Sequence, residues 1–382
     1  MNRTLPAAGV FSLLIFLIAL NLRPSVAALG PLFPLLQHNA TLTATQLSLL
    51  TALPVAMMGL SALAGPLLQR TLGEVKGIAI GLSLLVLASV GRGVTHSATA
   101  LIISALLAGA GIGVIQALMP AQIKRYFGTR AGTLMALYTT GIMAGAAIAA
   151  ASAAPLANRH GLALTLAMPA IPAAIALLFW WLTQPGDACR PHVRPPRALP
   201  ARRAWLLMIF FGIGTGAYTL VLAWLPPYYQ QHGWLPAQSG YVLAALTLTE
   251  VLAGFMLAAL IHRFRDRRYP LLVVLTLVLL GLVSLIVLGG AQAWLPTVLL
   301  GLGIGALFPL SLIVTLDHAS QAEEAASLLS FVQGGGYLLA AFMPLIAGLV
   351  RDHTDTLSGA WGIMSGGVLL LMLMALRFRP QT

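Results

Sequence analysis

The sequence predicts an all-α membrane protein, with twelve transmembrane helices in two six-helix bundles related by a parallel pseudo-two-fold repeat. Three observations predict it. Of 382 residues, 59% are hydrophobic and only 8% charged, whereas a soluble domain carries about 25% charged residues to cover its surface. Apolar runs of about 20 residues, the length that crosses a bilayer, recur along the chain. Features of the first half return in the second at a nearly constant offset. This composition excludes an ordinary soluble enzyme and intrinsic disorder.

The apolar runs fall near 8–36, 44–69, 77–94, 98–122, 131–154 and 162–182, then near 204–230, 238–262, 270–289, 294–316, 325–350 and 358–376. Between the two sets lies a polar, proline-rich and basic stretch, QPGDACRPHVRPPRALPARR. The expected organisation is an N-terminal bundle over 1–182, a cytoplasmic linker over 183–203 and a C-terminal bundle over 204–382. Basic residues upstream of an apolar core and Ser25-Val26-Ala27 mimic a signal peptide. Arg23 lies too close to that cut, however, and the apolar run continues to Leu36, so the segment is read as the first helix.

The formal charge is +12, but its distribution argues against nucleic acid. Basic residues sit between apolar runs and do not gather on one polar face. With the N-terminus inside, 17 of the 21 Lys and Arg fall in inner loops and tails, the excess that marks cytoplasmic segments. Arg159 and Arg351 fall near the outer side. Both termini are therefore expected in the cytoplasm, with the chain multi-pass in a bacterial inner (plasma) membrane. The basic linker is read as an orientation signal, with anionic lipid headgroups as an alternative ligand. Trp180, Trp181 and Trp205 are expected as interface anchors near the inside, and Trp234, Trp294 and Trp361 near the outside.

The single cysteine, Cys189, allows no intramolecular disulfide, and the eight histidines fall at or beside breaks between spans. No metal or other cofactor is expected. No two carboxylates share a span, and no HExxH or Ser/His/Asp set can be assembled at membrane depth, so the chain is not expected to be an enzyme.

A shift of about 193 residues aligns Pro34 and Gln37 with Pro227 and Gln230, Arg70 with Arg263, and Gly141 with Gly334. A shift of 192 aligns Gly-Ala-Gly-Ile-Gly (109–113) with Gly-Leu-Gly-Ile-Gly (301–305). An even number of helices per half gives both halves the same orientation, hence an axis along the membrane normal and two bundles rocking about a central cavity. The glycine strings have no preceding strand and no acidic partner downstream, which excludes a dinucleotide fold. Their small-xxx-small spacing (Gly109/Gly113, Gly141/Gly145, Gly301/Gly305) suits close helix packing in lipid, and such contacts can also serve as sliding surfaces.

Ionisable residues at membrane depth are functional candidates because burying them is expensive. Arg23 lies roughly 22 Å into the first helix at 1.5 Å per residue. Pro24 follows and leaves a carbonyl one turn back unpaired. A kinked helix carrying a guanidinium presents five donors to an anion. The alternative is a structural arginine paired with backbone carbonyls or with Glu250. Glu250 lies roughly 20 Å above Arg263, near the level of Arg23. Burial disfavours its ionised form and a nearby arginine favours it, so it is either a proton carrier or a permanently ionised partner of Arg23. Arg92 has similar nominal depth, but its helix ends at Thr95-His96-Ser97, so it is expected to snorkel to the outer interface. Asn21, Gln116, Tyr138, Tyr218, Trp224 and Gln333 are polar or amphipathic groups on cavity-lining helices. Any one of them is more often a helix–helix hydrogen bond than a ligand contact, and Gln116 and Trp224 are the favoured ligands.

Several stretches carry a resemblance: Leu20-Asn21-Leu22-Arg23-Pro24, Leu50-Thr51-Ala52-Leu53-Pro54, GIGVIQALMP (111–120) with Ile123-Lys124-Arg125, and GLGIGALFPL (301–310) with Leu316-Asp317-His318. Over essentially the whole chain it resembles the cyanate transporter family, the cyanate/nitroimidazole branch of the major facilitator superfamily. The resemblance implies the major facilitator fold and secondary transport, without ATP, of a small anion or small planar polar solute. Gly65–Gly73 (GPLLQRTLG) resembles the superfamily's G-x-x-x-D-R-x-G loop, with Gln69 in place of the acid and the last glycine displaced by one.

The expected function is therefore secondary active transport of a small anion such as cyanate by a rocker-switch mechanism, coupled to protons. Arg23, Asn21, Gln116, Tyr218 and Trp224 are the expected substrate-binding residues and Glu250 the proton-coupling residue. The expected partners are the anion, protons and membrane lipid, with the protein acting as a monomer. The alternative is proton-driven efflux of small planar neutral compounds such as nitroimidazoles.

Overall fold

The computed structural model describes residues 8–40, 42–94, 97–183, 202–264, 266–319 and 322–378. Almost all of the expected linker, including Cys189, lies outside the described residues. Among the described residues, twelve helical spans are long and apolar enough to cross a membrane. Helices suit these runs because a span in lipid must satisfy its backbone N–H and C=O groups internally.

The first span is broken into α1 (Ala8–Leu20), α2 (Pro24–Ala27) and α3 (Leu29–Ala40). Next come α4 (Ala44–Leu63), α5 (Gly65–Thr71), α6 (Glu74–Val94), α7 (Ala98–Phe127) and α8 (Ala131–His160), then α9 (Leu162–Ala167) and α10 (Ala170–Thr183) as the broken sixth span. The second half holds α11 (Arg202–Gln231), α12 (Pro236–Leu260), α13 (Arg268–Leu288), α14 (Trp294–Leu316), α15 (Ala322–Ala340), α16 (Phe342–Thr354) and α17 (Ser358–Leu376). The face carrying Ala8 and Phe378 is called proximal and the opposite face distal.

The break in the first span follows from Pro24, the first residue of α2. Its missing N–H leaves the Leu20 carbonyl without a helical donor, and this carbonyl lies directly against Gly145 of α8. Any side chain at position 145 would displace it.

Packing repeats between the halves as the offset predicts. Gly109 and Gly113 of α7 lie against Pro54, Met57 and Ser61 of α4, and Gly301 and Gly305 of α14 lie against Thr249 and Glu250 of α12. Gly111 meets the Gly81 carbonyl of α6, while Gly303 meets the Val278 backbone of α13. The proximal ion pairs repeat as well. Arg125 at the end of α7 binds Glu74 at the start of α6 at 2.6 Å, and Arg267 just before α13 binds Asp317 just after α14 at 3.0 Å. Glu74 and Arg267 are 193 apart, and Arg125 and Asp317 are 192 apart. The same bridge therefore stands in both halves with its charges exchanged. Gln69, which replaces the acid in the Gly65–Gly73 loop, donates to the same Glu74 oxygen at 2.9 Å, so the acid is supplied five residues later.

Among the described residues the halves meet mainly where α4 packs on α15 and α16, α8 on α12, and α3 on α11. At the distal end Asp352 of α16 accepts from the Ala44 and Thr45 backbone N–H groups at 2.9 Å each and from the Thr45 hydroxyl at 2.6 Å. Gln230 of α11 donates to the Pro31 carbonyl of α3 at 3.2 Å. On the proximal side of this seam, Ser330 of α15 donates to the Ala62 carbonyl at 2.7 Å.

Two expectations are corrected. Trp181, Trp205 and Trp294 are exposed as anchors should be, but Trp180 and Trp361 are fully buried, and the Trp180 indole donates to the Val75 carbonyl at 3.0 Å. Arg92 does not snorkel: only 3% of it is exposed. Span position gives depth, but it leaves open which way round its helix a side chain points.

Candidate functional site

The first-span break turns Arg23 toward the seam. The residue is 7% exposed, and its guanidinium lies 5.2 Å from the centroid of the Tyr218 ring of α11, in the other half. Such a cation over an aromatic face is held by the ring quadrupole. Arg23 is also in electrostatic range of Tyr138 on α8, Tyr337 on α15 and Glu250 on α12. One cation, one acid and three tyrosines from five elements thus lie within interaction range of one another between the halves.

Arg23 and Glu250 do not form an ion pair, because neither Glu250 oxygen has a hydrogen-bond partner. Arg23 Nε and the hydroxyls of Tyr138 and Tyr218 are likewise buried without protein partners. Leaving a buried polar atom unsatisfied costs about 1–3 kcal/mol, more if charged. Structural polar networks are normally satisfied, so a cluster of unsatisfied atoms at the junction of the two halves suits a group that binds something else.

The cluster is asymmetric although the fold is not. At the repeat offset, Glu250 corresponds to Met57 and Arg23 to Gly216. The cation comes from the N-terminal half and the acid from the C-terminal half. Gly305 backs the acid: a side chain there would meet the Cα and carbonyl of Glu250.

The remaining expected residues are placed differently. Asn21 spends its amide donors on the Leu17 carbonyl at 2.7 Å and the Pro172 carbonyl at 3.3 Å, tying the first-span break to α10. Trp224 is fully buried. Its indole donates to the Pro344 carbonyl at 3.1 Å, its ring stands edge-on to Phe33 at 5.4 Å, and Arg351 lies 5.3 Å from its ring centroid. In this conformation it fills the seam between α3, α11 and α16. Gln116 is half-buried on α7, with no hydrogen bond joining it to the Arg23 group among the described residues. Tyr337 is the residue sequence reasoning missed. It stands one helical turn after Gln333, hence on the same face, and that spacing was the available signal.

The family profile described as Major Facilitator Superfamily matches residues 11–341. The chain belongs to the major facilitator superfamily. Among its superfamily relatives, the cyanate transport protein CynX of Escherichia coli (strain K12) is 37% identical over 373 residues, covering 96% of this chain and 97% of that protein. The 2-nitroimidazole transporter of the same organism is 31% identical over 382 residues, covering 98% and 94%. These two place the chain in the cyanate/nitroimidazole branch of the superfamily. Its architecture also matches the crystal structure of a D-xylose-proton symporter, with a TM-score of 0.77 and 14% identity over 97% of this chain and 98% of that one. This major facilitator chain is thus a multi-pass membrane transporter of small molecules.

Proposed function

We propose that the chain carries a small anion such as cyanate together with one proton, the anion on Arg23 and the proton on Glu250. The observation that supports this reading is the pairing of one buried cation with one buried acid, each with unsatisfied polar atoms, across the seam. With Glu250 ionised, the two groups sum to zero charge. With the anion on Arg23 and the proton on Glu250, the sum is again zero. The site then carries no net charge whether loaded or unloaded, which avoids the cost of an added uncompensated charge in low dielectric. An anion entering alone against an inside-negative potential would face about 2.3 kcal/mol per 100 mV.

Tyr218 and Tyr138 offer hydroxyls to the far end of the bound solute. Asn21 shapes the first-span break, Trp224 seals the distal side, and Gln116 is reached as the bundles rock. The proximal face, where the basic loops lie, is the cytoplasmic one, and the membrane is a bacterial inner membrane. Residues 1–182 and 204–382 move as the two bundles, joined by 183–203. The protein works as a monomer in lipid, and performs no catalysis.

The test is entry of labelled cyanate into proteoliposomes with and without an inward proton gradient, for wild type, Arg23→Gln and Glu250→Gln. The reading requires gradient-driven accumulation in wild type and its loss in both variants, with unfolding temperatures unchanged. A folded wild type that admits no cyanate would remove the substrate assignment. Export of neutral nitroimidazole-like compounds is the second reading, favoured by the 31% identical relative. It predicts that Arg23→Gln retains transport of the neutral solute.

A further inference from the structure

Arg92 of α6 is a second buried guanidinium, outside the cluster just described. It is 3% exposed, and no carboxylate among the described residues compensates it. Its bonds are specific. Nη1 donates to the carbonyl of Ser25 at 2.5 Å, and Nε donates to Ser104 Oγ of α7 at 2.9 Å. The Ser104 hydroxyl in turn donates to the Leu101 carbonyl at 2.6 Å, which fixes it as the acceptor.

Ser25 lies in the four-residue helix Pro24–Ala27 that follows the first-span break, two residues from Arg23. Arg23 faces the seam through Tyr218, while the backbone two residues further on is gripped from α6. Among the described residues the break is also held by the Asn21 amide on its proximal side, by close backbone packing at Gly145 and by the buried side chains of Leu22 and Val26. A hydrophobic residue would fill the Arg92 position at lower cost, so a charge retained here at membrane depth points to a role.

We infer that Arg92 is a positioning residue that clamps the first-span break to α6 and α7 and thereby sets where the Arg23 guanidinium stands in the substrate site. The planar fork of an arginine makes both bonds at once, which a lysine cannot do. As a second positive charge on the N-terminal half, it also adds to the potential that favours an anion at Arg23. The inference rests on the transport reading above for its functional consequence, but not for its structural one.

The experiment therefore has two readouts on Arg92→Met, Arg92→Lys and Ser104→Ala. The first is hydrogen exchange of the purified protein, which needs no substrate. In Arg92→Met the amides of residues 21–28 should exchange about 10-fold faster, with the other spans unchanged. The second is cyanate uptake: KM should rise about 10-fold in Arg92→Met with Vmax changed far less, because the anion site is misplaced while the rocking machinery is intact. Arg92→Lys and Ser104→Ala, each keeping one bond, should fall between wild type and Arg92→Met in both readouts. If Arg92→Met does not fold, these two decide.

Unchanged exchange at 21–28 in a folded variant overturns the clamp. Faster exchange with an unchanged KM overturns the positioning role and leaves ordinary packing. A wild type that takes up no cyanate, together with the predicted exchange, overturns the substrate reading while the clamp stands.

Discussion

Asp352 gives the sharpest prediction about conformational balance. Its carboxylate belongs to α16, in the C-terminal half, and accepts three hydrogen bonds from the first residues of α4, in the N-terminal half. Thr43 and Gln46 already form a capping box at that helix start, so Asp352 adds a charge to an end that is otherwise capped. Its interactions exist only while the distal ends of α4 and α16 are together. A charge at a helix N-terminus contributes about 0.3–1 kcal/mol when exposed, and capping-type bonds about 0.5–2 kcal/mol. Because Asp352 is solvent-exposed, about 1.5 kcal/mol is a fair total, or roughly a tenfold bias toward the distally closed state. Asp352→Ala should therefore raise the ratio of distally open to closed molecules about tenfold, and Thr45→Val should shift it in the same direction by less. The assay is the electron-spin distance distribution between labels at Asn39 and Ala291, on opposite halves, in a Cys189→Ser background. An unchanged distribution in folded Asp352→Ala would refute the idea that these bonds hold the distal side shut.

Other expectations follow from the same geometry. Glu74→Gln strands the charge of Arg125 beside a residue whose own side chain is 2% exposed, and should cost about 2–3 kcal/mol, below the range for fully buried pairs because Arg125 is partly solvated. The exchanged pair Glu74→Arg with Arg125→Glu should recover most of that loss in thermal unfolding, as the reversed bridge of the other half implies. Gly305→Ala places a methyl group against the Glu250 backbone. It should destabilise by about 1–3 kcal/mol and reduce proton-driven uptake more than it lowers Tm. Tyr218→Phe keeps the ring under Arg23 but removes the hydroxyl, so cyanate KM should rise severalfold with Vmax little changed.

The spans, their number and the parallel repeat were legible in the sequence because depth in a membrane translates into apolar run length. The proximity of Arg23 and Glu250 was legible for the same reason, since a 1.5 Å rise per residue gives both nearly the same nominal depth. Rotation about each helix axis was not legible. Spans such as α13 and α17 are apolar on every side, so the one-sided pattern that orients a soluble helix is missing. That is why Arg92 reads from the sequence as snorkelling although it points at Ser25, and Trp180 and Trp361 as anchors although they are packed inside. Tyr337 went unrecognised because a tyrosine next to three glycines reads as packing until neighbouring spans bring Arg23 beside it. The Glu74–Arg125 bridge was hidden by expecting the acid at position 69.

Stoichiometry tests the central claim most directly. Proteoliposomes holding wild type are given a pH difference while valinomycin and potassium set the membrane potential independently, and the steady ratio of internal to external cyanate is measured. One anion moving with one proton predicts about tenfold accumulation per pH unit, unaltered when the potential is changed. Accumulation that follows the potential, or a ratio near one under a proton gradient, would contradict the pairing of Arg23 with Glu250 as anion and proton carriers.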